Sequence, residues 1–289
     1  MLERLALPLR GFANGTVSLV RGFYGALGRP GKLLQDFLNG SWLGHSLHAV
    51  LVDVVIGAAT VAVILDLLRV IFGLDELADA ATWTTLLVFL SALAAIVTGL
   101  TDHKDTSPDT PLRDVGVLHG LVNIVGTIGF GVSLWLRVIG AHDGGFWAML
   151  LSYLVVSAGG YIGGHLVFKY GYMVNFNAFS KGKKAAEFTA VAPVSDVPED
   201  TPTKVTFGAT AIMLVRRGEV VHALKDTCAH LGGPLSQGDL NGDTITCPWH
   251  ASVFNITDGA VVHGPASSRQ ASYRARVNEG QVEVQGPYD

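Results

Sequence analysis

The chain has 289 residues, of which 49% are hydrophobic and only 15% charged, with a formal net charge of −4 and a mean hydropathy of +0.40. That length admits two domains of ordinary size, and that apolarity excludes a protein that is water-soluble throughout. No basic cluster of the kind that marks a nucleic-acid footprint is present, so a nucleic-acid partner is excluded from the expectations.

Charge and apolarity are unevenly spread. Residues 187–289 hold seven Lys/Arg against twelve Asp/Glu, while the remainder holds thirteen against twelve. The first segment, 1–46, carries five Lys/Arg and several short apolar runs. Pro8, Gly11, Gly15 and Arg21 interrupt any signal-peptide core, so this part is expected to be interfacial, with short amphipathic turns.

Four apolar spans follow in a domain expected over 47–168: Leu47–Leu68, Trp83–Leu100, Val115–Leu136 and Phe146–Phe168. Each has about the 17–25 residues that a helix needs to cross a bilayer. Short connections predict an antiparallel four-helix transmembrane bundle in contact with membrane lipid. Lys and Arg concentrate before the first span, between the second and third (Lys104, Arg113) and after the fourth (Lys169, Lys181, Lys183, Lys184), against Arg69 and Arg137 on the other side. By the positive-inside rule, a multi-pass cell-membrane protein with both termini cytoplasmic is expected.

Five histidines fall at the ends of these spans. His45 and His48 open the first, His103 follows the second, His119 lies near the start of the third and His165 near the end of the fourth. In an antiparallel bundle all five share one membrane face, the cytoplasmic one. Leu47-His48-Ala49 and Leu118-His119-Gly120 also echo each other, suggesting two related hairpins. Facing imidazoles in a bundle can ligate haem b, with His48 and His119 as first candidates and His103 and His165 as alternates. Helix packing, a quinone site or a proton site are the other uses for such residues. Asp53, deeper in the first span, would serve proton movement or pair with Asn123.

After an expected linker, 169–186, the chain changes character. Runs such as Thr203–Phe207, Ala211–Arg216, Glu219–Leu224, Thr244–Thr246, Ser272–Val277 and Gln281–Val284, separated by Gly, Asn and Asp, predict a small antiparallel all-β domain over 187–289. It contains the only two cysteines, in Cys228-x-His230 and Cys247-x-x-His250, with sixteen residues between the pairs. Two thiolates and two imidazoles suit a tetrahedral zinc or an iron–sulfur centre.

The surrounding residues carry a resemblance. Cys228-Ala-His230-Leu-Gly-Gly-Pro, Cys247-Pro-Trp-His250-Ala-Ser and the later Gly264-Pro265 resemble the Rieske 2Fe–2S family, here fused to a segment that resembles a bacterial membrane-domain family of unknown function. The resemblance implies one 2Fe–2S cluster, with Cys228 and Cys247 on one iron and His230 and His250 on the other. In its high-potential members a Ser and a Tyr beyond the second His donate hydrogen bonds to the sulfurs, and a disulfide joins the ligand loops. Ser252 matches the first and Phe254 stands in place of the second. Gly233 and Trp249 occupy the disulfide positions. Ser252, Phe254 and Pro265 thus surround a centre of the ferredoxin type, with an intermediate-to-low potential expected within the roughly −150 to +300 mV span of Rieske centres. The function implied is a membrane-anchored carrier of single electrons between a cytoplasmic partner and a membrane or oxygenase acceptor. A reductase or a terminal oxidase or oxygenase would dock on the acidic domain. An oxygenase or hydroxylase component and a redox-sensing membrane protein are the alternatives.

Overall fold

A computed structural model describes residues 1–178 and 185–288, with the side chains of residues 185 and 288 left aside. The lysines at 181, 183 and 184 and the middle of the expected linker lie outside the described residues. The chain forms two compact units, one of residues 1–31 and 46–170, the other of residues 32–45 and 171–289.

The helical unit opens with α1 (Leu2–Ala6) and α2 (Arg10–Asn39). The expected short turns are thus one long helical segment with a break inside it. Gly28 adopts φ 58°, ψ −130°, a conformation open to residues without a Cβ, and the two units divide three residues beyond it. Gly11 and Gly15, which looked like interruptions, sit in continuous helix, and Pro8 lies in a short 3-10 turn between α1 and α2. Arg10 donates to Asp114 (2.7 Å), Arg21 to the carbonyl of Lys104 (2.8 Å), and Tyr24 meets Thr101 (2.6 Å). These bonds explain why residues 101–106, polar throughout, are buried.

The four long helices are α3 (Leu47–Phe72), α4 (Leu77–His103), α5 (Pro111–Val138) and α6 (His142–Tyr170). All are long and apolar enough to cross a membrane. They overrun the apolar spans by a few residues because hydropathy marks only the hydrocarbon core, whereas capping marks the helix. Thr110 caps α5, accepting from Arg113 N (3.4 Å), with Pro111 in the first turn. Gly73, at φ 67°, stops α3.

The interior of the bundle mixes small and polar residues with a few large apolar ones such as Phe130 and Met149, while most of the large apolar side chains face outward. A Cβ on Gly126 would fall 2.4 Å from Val156, and one on Gly129 2.1 Å from the Ser152 hydroxyl. This close approach of α5 and α6 replaces the hydrophobic drive that is missing between helices in lipid. Asp66 of α3 and Arg137 of α5 form a doubly hydrogen-bonded ion pair with both side chains fully buried. The expected Asp53–Asn123 pair does not form: Asp53 is exposed, and Asn123 gives its amide to the carbonyl of His119 (2.8 Å).

The β unit holds two antiparallel sheets. The strands are β1 (Ala185–Pro193), β2 (Thr203–Phe207), β3 (Thr210–Arg217), β4 (Val220–Lys225), β5 (Asp239–Asn241), β6 (Thr244–Thr246), β7 (Val253–Asn255), β8 (Val261–His263), β9 (Ser272–Asn278) and β10 (Gln281–Tyr288). The six-stranded sheet runs β1-β10-β9-β4-β3-β2 and the four-stranded sheet β5-β6-β7-β8. The β-type runs read from the sequence correspond to β2, β3, β4, β6, β9 and β10. The three-residue strands β5, β7 and β8 are too short to show a period of two, and β6, of the same length, stands out only through its β-branched residues between turn signals. Their sheet carries the loops described next.

Candidate metal centre

Three loops converge around Cys228 and Cys247. The first, between β4 and β5, turns tightly: Cys228 N donates to Gly233 O (2.8 Å) and Gly232 N to Cys228 O (3.0 Å). Gly232 needs its positive φ of 82° there. A Cβ on Gly233 would lie 2.7 Å from Cys247 Sγ and 3.0 Å from the Trp249 ring. The positions at which the resemblance placed a loop-joining disulfide therefore face each other, but here as glycine against indole. The second loop, between β6 and β7, repeats the tight turn, with Cys247 N to Ser252 O (2.8 Å) and Ala251 N to Cys247 O (3.1 Å). The third holds the cis peptide Gly264–Pro265.

Both cysteines are free and buried. Their sulfurs lie within hydrogen-bond reach of each other, and loop N–H groups converge on each, from His230 and Leu231 on Cys228 and from Trp249 and His250 on Cys247. Because Cys228 donates to it, Cys247 is held down to about 7 against its burial. The Cys228 thiol, as the donor and buried, is pushed up. Such amide-lined sulfurs stabilise thiolate, the form that binds metal.

The His230 and His250 ring centres lie 5.1 Å apart with planes at 85°. Two metal–nitrogen bonds of about 2.0–2.1 Å meeting at a tetrahedral angle put imidazole centres about 5 Å apart. The four residues thus fit a two-iron centre: sulfurs paired on the buried side, imidazoles spaced for one tetrahedral iron.

Ser252 is fully buried, and its Oγ accepts from Ala266 N at 3.0 Å. The hydroxyl proton is therefore available to a neighbour other than that amide. Phe254 is fully buried among Cys228, Cys247, Leu235 and Ile245 and offers no proton. Pro265 lies between Gly264, whose N–H goes to Asp36 Oδ1 (2.9 Å), and Ala266. Ser252→Ala is expected to leave the buried Ala266 N–H unpaired, at a cost of about 1–3 kcal/mol. It should also lower the cluster midpoint by on the order of 50 mV, the equivalent of one modest hydrogen bond in a one-electron couple. Redox titration of the variant checks both the sign and the size, and an unchanged midpoint would remove Ser252 from the tuning shell.

Ala251, where the family resemblance leads one to expect glycine, has φ 59°. A Cβ in this region costs about 1 kcal/mol, and Ala251 is exposed, so Ala251→Gly should raise stability by about that amount. A thermal melt that shows no gain, or a loss, contradicts this.

Sequence reasoning missed two supports of the site. Gln270, 1% exposed, donates from Nε2 to the carbonyls of Lys225 (2.5 Å) and Thr227 (2.7 Å) and accepts from Ala229 N (2.8 Å), clamping the first loop. Asp36, from the end of α2, accepts from both Gly264 N and His263 Nδ1 (2.7 Å) and so pins the third loop. Neither carries a local signal, because each acts on groups more than forty residues away in sequence.

Elsewhere in the chain, His48 and His119 come together, with ring centres 6.3 Å apart and planes at 89°. His103 packs on Gly116 and His165 on Tyr170 (5.8 Å).

Two tight loops that bring paired Cys and His together on a small two-sheet unit define an iron–sulfur electron-transfer domain. The model of the Rieske 2Fe-2S domain matches residues 187–274, and the model described as Predicted membrane protein (DUF2231) matches residues 44–175. The chain belongs to the Rieske 2Fe–2S family, carrying in addition a predicted membrane domain. Ferredoxin CarAc of Metapseudomonas resinovorans is 35% identical over 97 residues, 33% of this chain and 91% of that protein. The anthranilate 1,2-dioxygenase ferredoxin subunit of Burkholderia cepacia is 30% identical over 99 residues, 34% of this chain and 92% of that protein. The cytochrome b6-f complex iron-sulfur subunit of Chlorobaculum tepidum is 30% identical over 105 residues, 36% of this chain and 57% of that protein.

Proposed function

We propose that this protein is a membrane-anchored Rieske carrier that takes single electrons from a cytoplasmic protein and passes them to a membrane or oxygenase acceptor. Cys228 and Cys247 hold one iron of a 2Fe–2S cluster, and His230 and His250 hold the other. The observation that carries the reading is the 5.1 Å imidazole pair beside two amide-lined sulfurs, in a chain with four helices of membrane-crossing length. The cluster supplies a one-electron couple. The residues around it shield the sulfurs, orient the imidazoles and, through Ser252, set the potential.

The charge asymmetry of the loops supports cytoplasmic termini, and the lack of a loop-joining disulfide is in keeping with a reducing compartment. The ferredoxin relatives support an oxygenase as acceptor. A haem b in the bundle is the membrane alternative.

EPR of the detergent-purified, dithionite-reduced chain should show the low average g of a His-ligated 2Fe–2S cluster, and potentiometry a midpoint below the top of the Rieske range. A midpoint near +300 mV would place the protein with quinol-oxidising members. The β domain has a net charge of −5, so docking on a basic partner surface predicts that partner reduction slows several-fold between low and physiological salt. Salt-independent rates contradict that mode of docking.

A further inference from the structure

The helical unit builds one arrangement twice. His48, at the start of α3, places Nδ1 2.9 Å from the carbonyl of Ala95 on α4, four residues before Gly99. His119, near the start of α5, places Nδ1 2.8 Å from the carbonyl of Gly159 on α6, four residues before Gly163. Each imidazole is packed close on its glycine: a Cβ on Gly99 would fall 2.9 Å from His48 Cε1, and one on Gly163 2.8 Å from His119 Cε1. A carbonyl only accepts, so both Nδ1 atoms carry the proton and both Nε2 atoms present a lone pair. The Asn123 amide, bonded to the carbonyl of its own helix, lies 3.2 Å from His119 Nδ1 and 3.5 Å from Nε2, both longer than the 2.8 Å bond from Nδ1 to Gly159 O, and Thr98 Oγ1 stands 3.4 Å from His48 Nδ1. This is the state in which histidines ligate metals, with the second nitrogen tied to a carbonyl that fixes tautomer and ring.

The two rings belong to different hairpins and meet each other. Their centres are 6.3 Å apart with planes at 89°, against 5.1 Å for His230 and His250. Two metal–nitrogen bonds of about 2.0–2.1 Å give roughly 5 Å between ring centres at a tetrahedral angle and about 6 Å when the ligands are trans. The membrane pair has the trans spacing.

Among the described residues no group of three or more His, Cys, Asp or Glu could hold a metal. A metal satisfied by two trans imidazoles brings its other ligands with it, and an iron porphyrin does so. Copper(I), which also accepts two ligands, selects thiolate and thioether, whereas this pair is imidazole only. Imidazoles facing across a helical bundle suit a b-type haem, and ionisable residues inside membrane helices mark electron or ion routes.

We infer that His48 and His119 are the axial ligands of one b-type haem, held on the pseudo-twofold relation of the two hairpins, with Gly99 and Gly163 giving the rings room. The inference rests on the electron-carrier reading and deepens it by naming the membrane acceptor. The iron porphyrin would supply a second one-electron couple. Ala95 and Gly159 hold the Nδ1 protons, and perpendicular imidazole planes are fixed by the helices.

The test uses the full chain, expressed with haem-precursor supplementation and purified in detergent. The expected results are about one haem per chain by pyridine haemochrome, a dithionite-reduced α-band, and a strongly anisotropic low-spin ferric EPR signal, as perpendicular axial rings give. His48→Ala and His119→Ala should each abolish the low-spin signal, His165→Ala should keep it, and imidazole added to His119→Gly should restore it. A supplemented wild-type chain without haem overturns the inference, leaving the rings as a packed edge-to-face pair. So does a low-spin signal that survives both alanine variants, or loss in His119→Gly that imidazole does not reverse. The Rieske EPR signal, read on the same samples, reports separately on the carrier: its presence without haem defeats only this inference, and its absence defeats the carrier reading itself.

Discussion

Cys228→Ala should yield a chain with no 2Fe–2S EPR signal and with its β unit markedly less stable. His250→Ala should do the same. Each ligand loop is short and turned on itself, and Cys228 and Cys247 lie in the same buried cluster as Leu235, Ile245, Phe254 and Ile256. Metal binding to such a site is coupled to folding, because the assembled ligands exist only in the folded domain. Losing one ligand therefore loses the bridge between loops as well as the iron. Iron and sulfide analysis together with the unfolding midpoint of the β unit checks the claim. A Cys228→Ala chain that retained a full cluster complement would show that another residue completes the site.

The second large effect lies at the Asp66–Arg137 pair. Both side chains are fully buried. Arg137 Nε also donates to Ser133 Oγ (3.2 Å), which itself donates to Gly145 O (2.7 Å). Asp66→Leu strands a guanidinium among packed helices, and breaking a buried pair in this way costs about 3–5 kcal/mol. Replacing both partners by apolar residues of similar size removes the stranded charge, so Asp66→Leu with Arg137→Leu should recover most of that loss. Denaturation of the detergent-solubilised chain would show it. A single variant as stable as the double would mean that water or lipid headgroups reach the site.

Asp66 and Arg137 also show where sequence reading stops. Asp66 lies within the first apolar span and Arg137 just beyond the third, and nothing in a single span shows that the two meet in the interior. The helices themselves were legible because hydrocarbon thickness imposes a length and a composition that few other contexts require. That Cys228, His230, Cys247 and His250 form one set was legible because the donor types and their glycine-rich frame are local. The His48–His119 pair was half legible: the repeated Leu-His pattern placed both residues at one face, but only the packing on Gly99 and Gly163 brings the rings together. Asp36 and Gln270 were not legible at all. Their value comes from backbone groups far along the chain, and an isolated Asp or Gln has many uses. Ala251 falls between these cases, since its departure from glycine was visible in sequence and its meaning depends on φ.

The break at Gly28 bears on how the protein is made. Residues 32–45 belong with the β unit, and the bond from Gly264 N to Asp36 spans 228 positions. A chain that grows from its N-terminus must insert four helices before it makes the loop that Asp36 holds, so closing that loop is a late event with a high entropic cost. Sheet formation and metal loading can proceed from residue 185 onward, but the pinned third loop needs a segment made long before. A fragment cut to contain only the β strands would keep Cys228, His230, Cys247 and His250 and lose that clasp. The whole β unit therefore needs the segment 32–45 as well as the strands that follow the four helices.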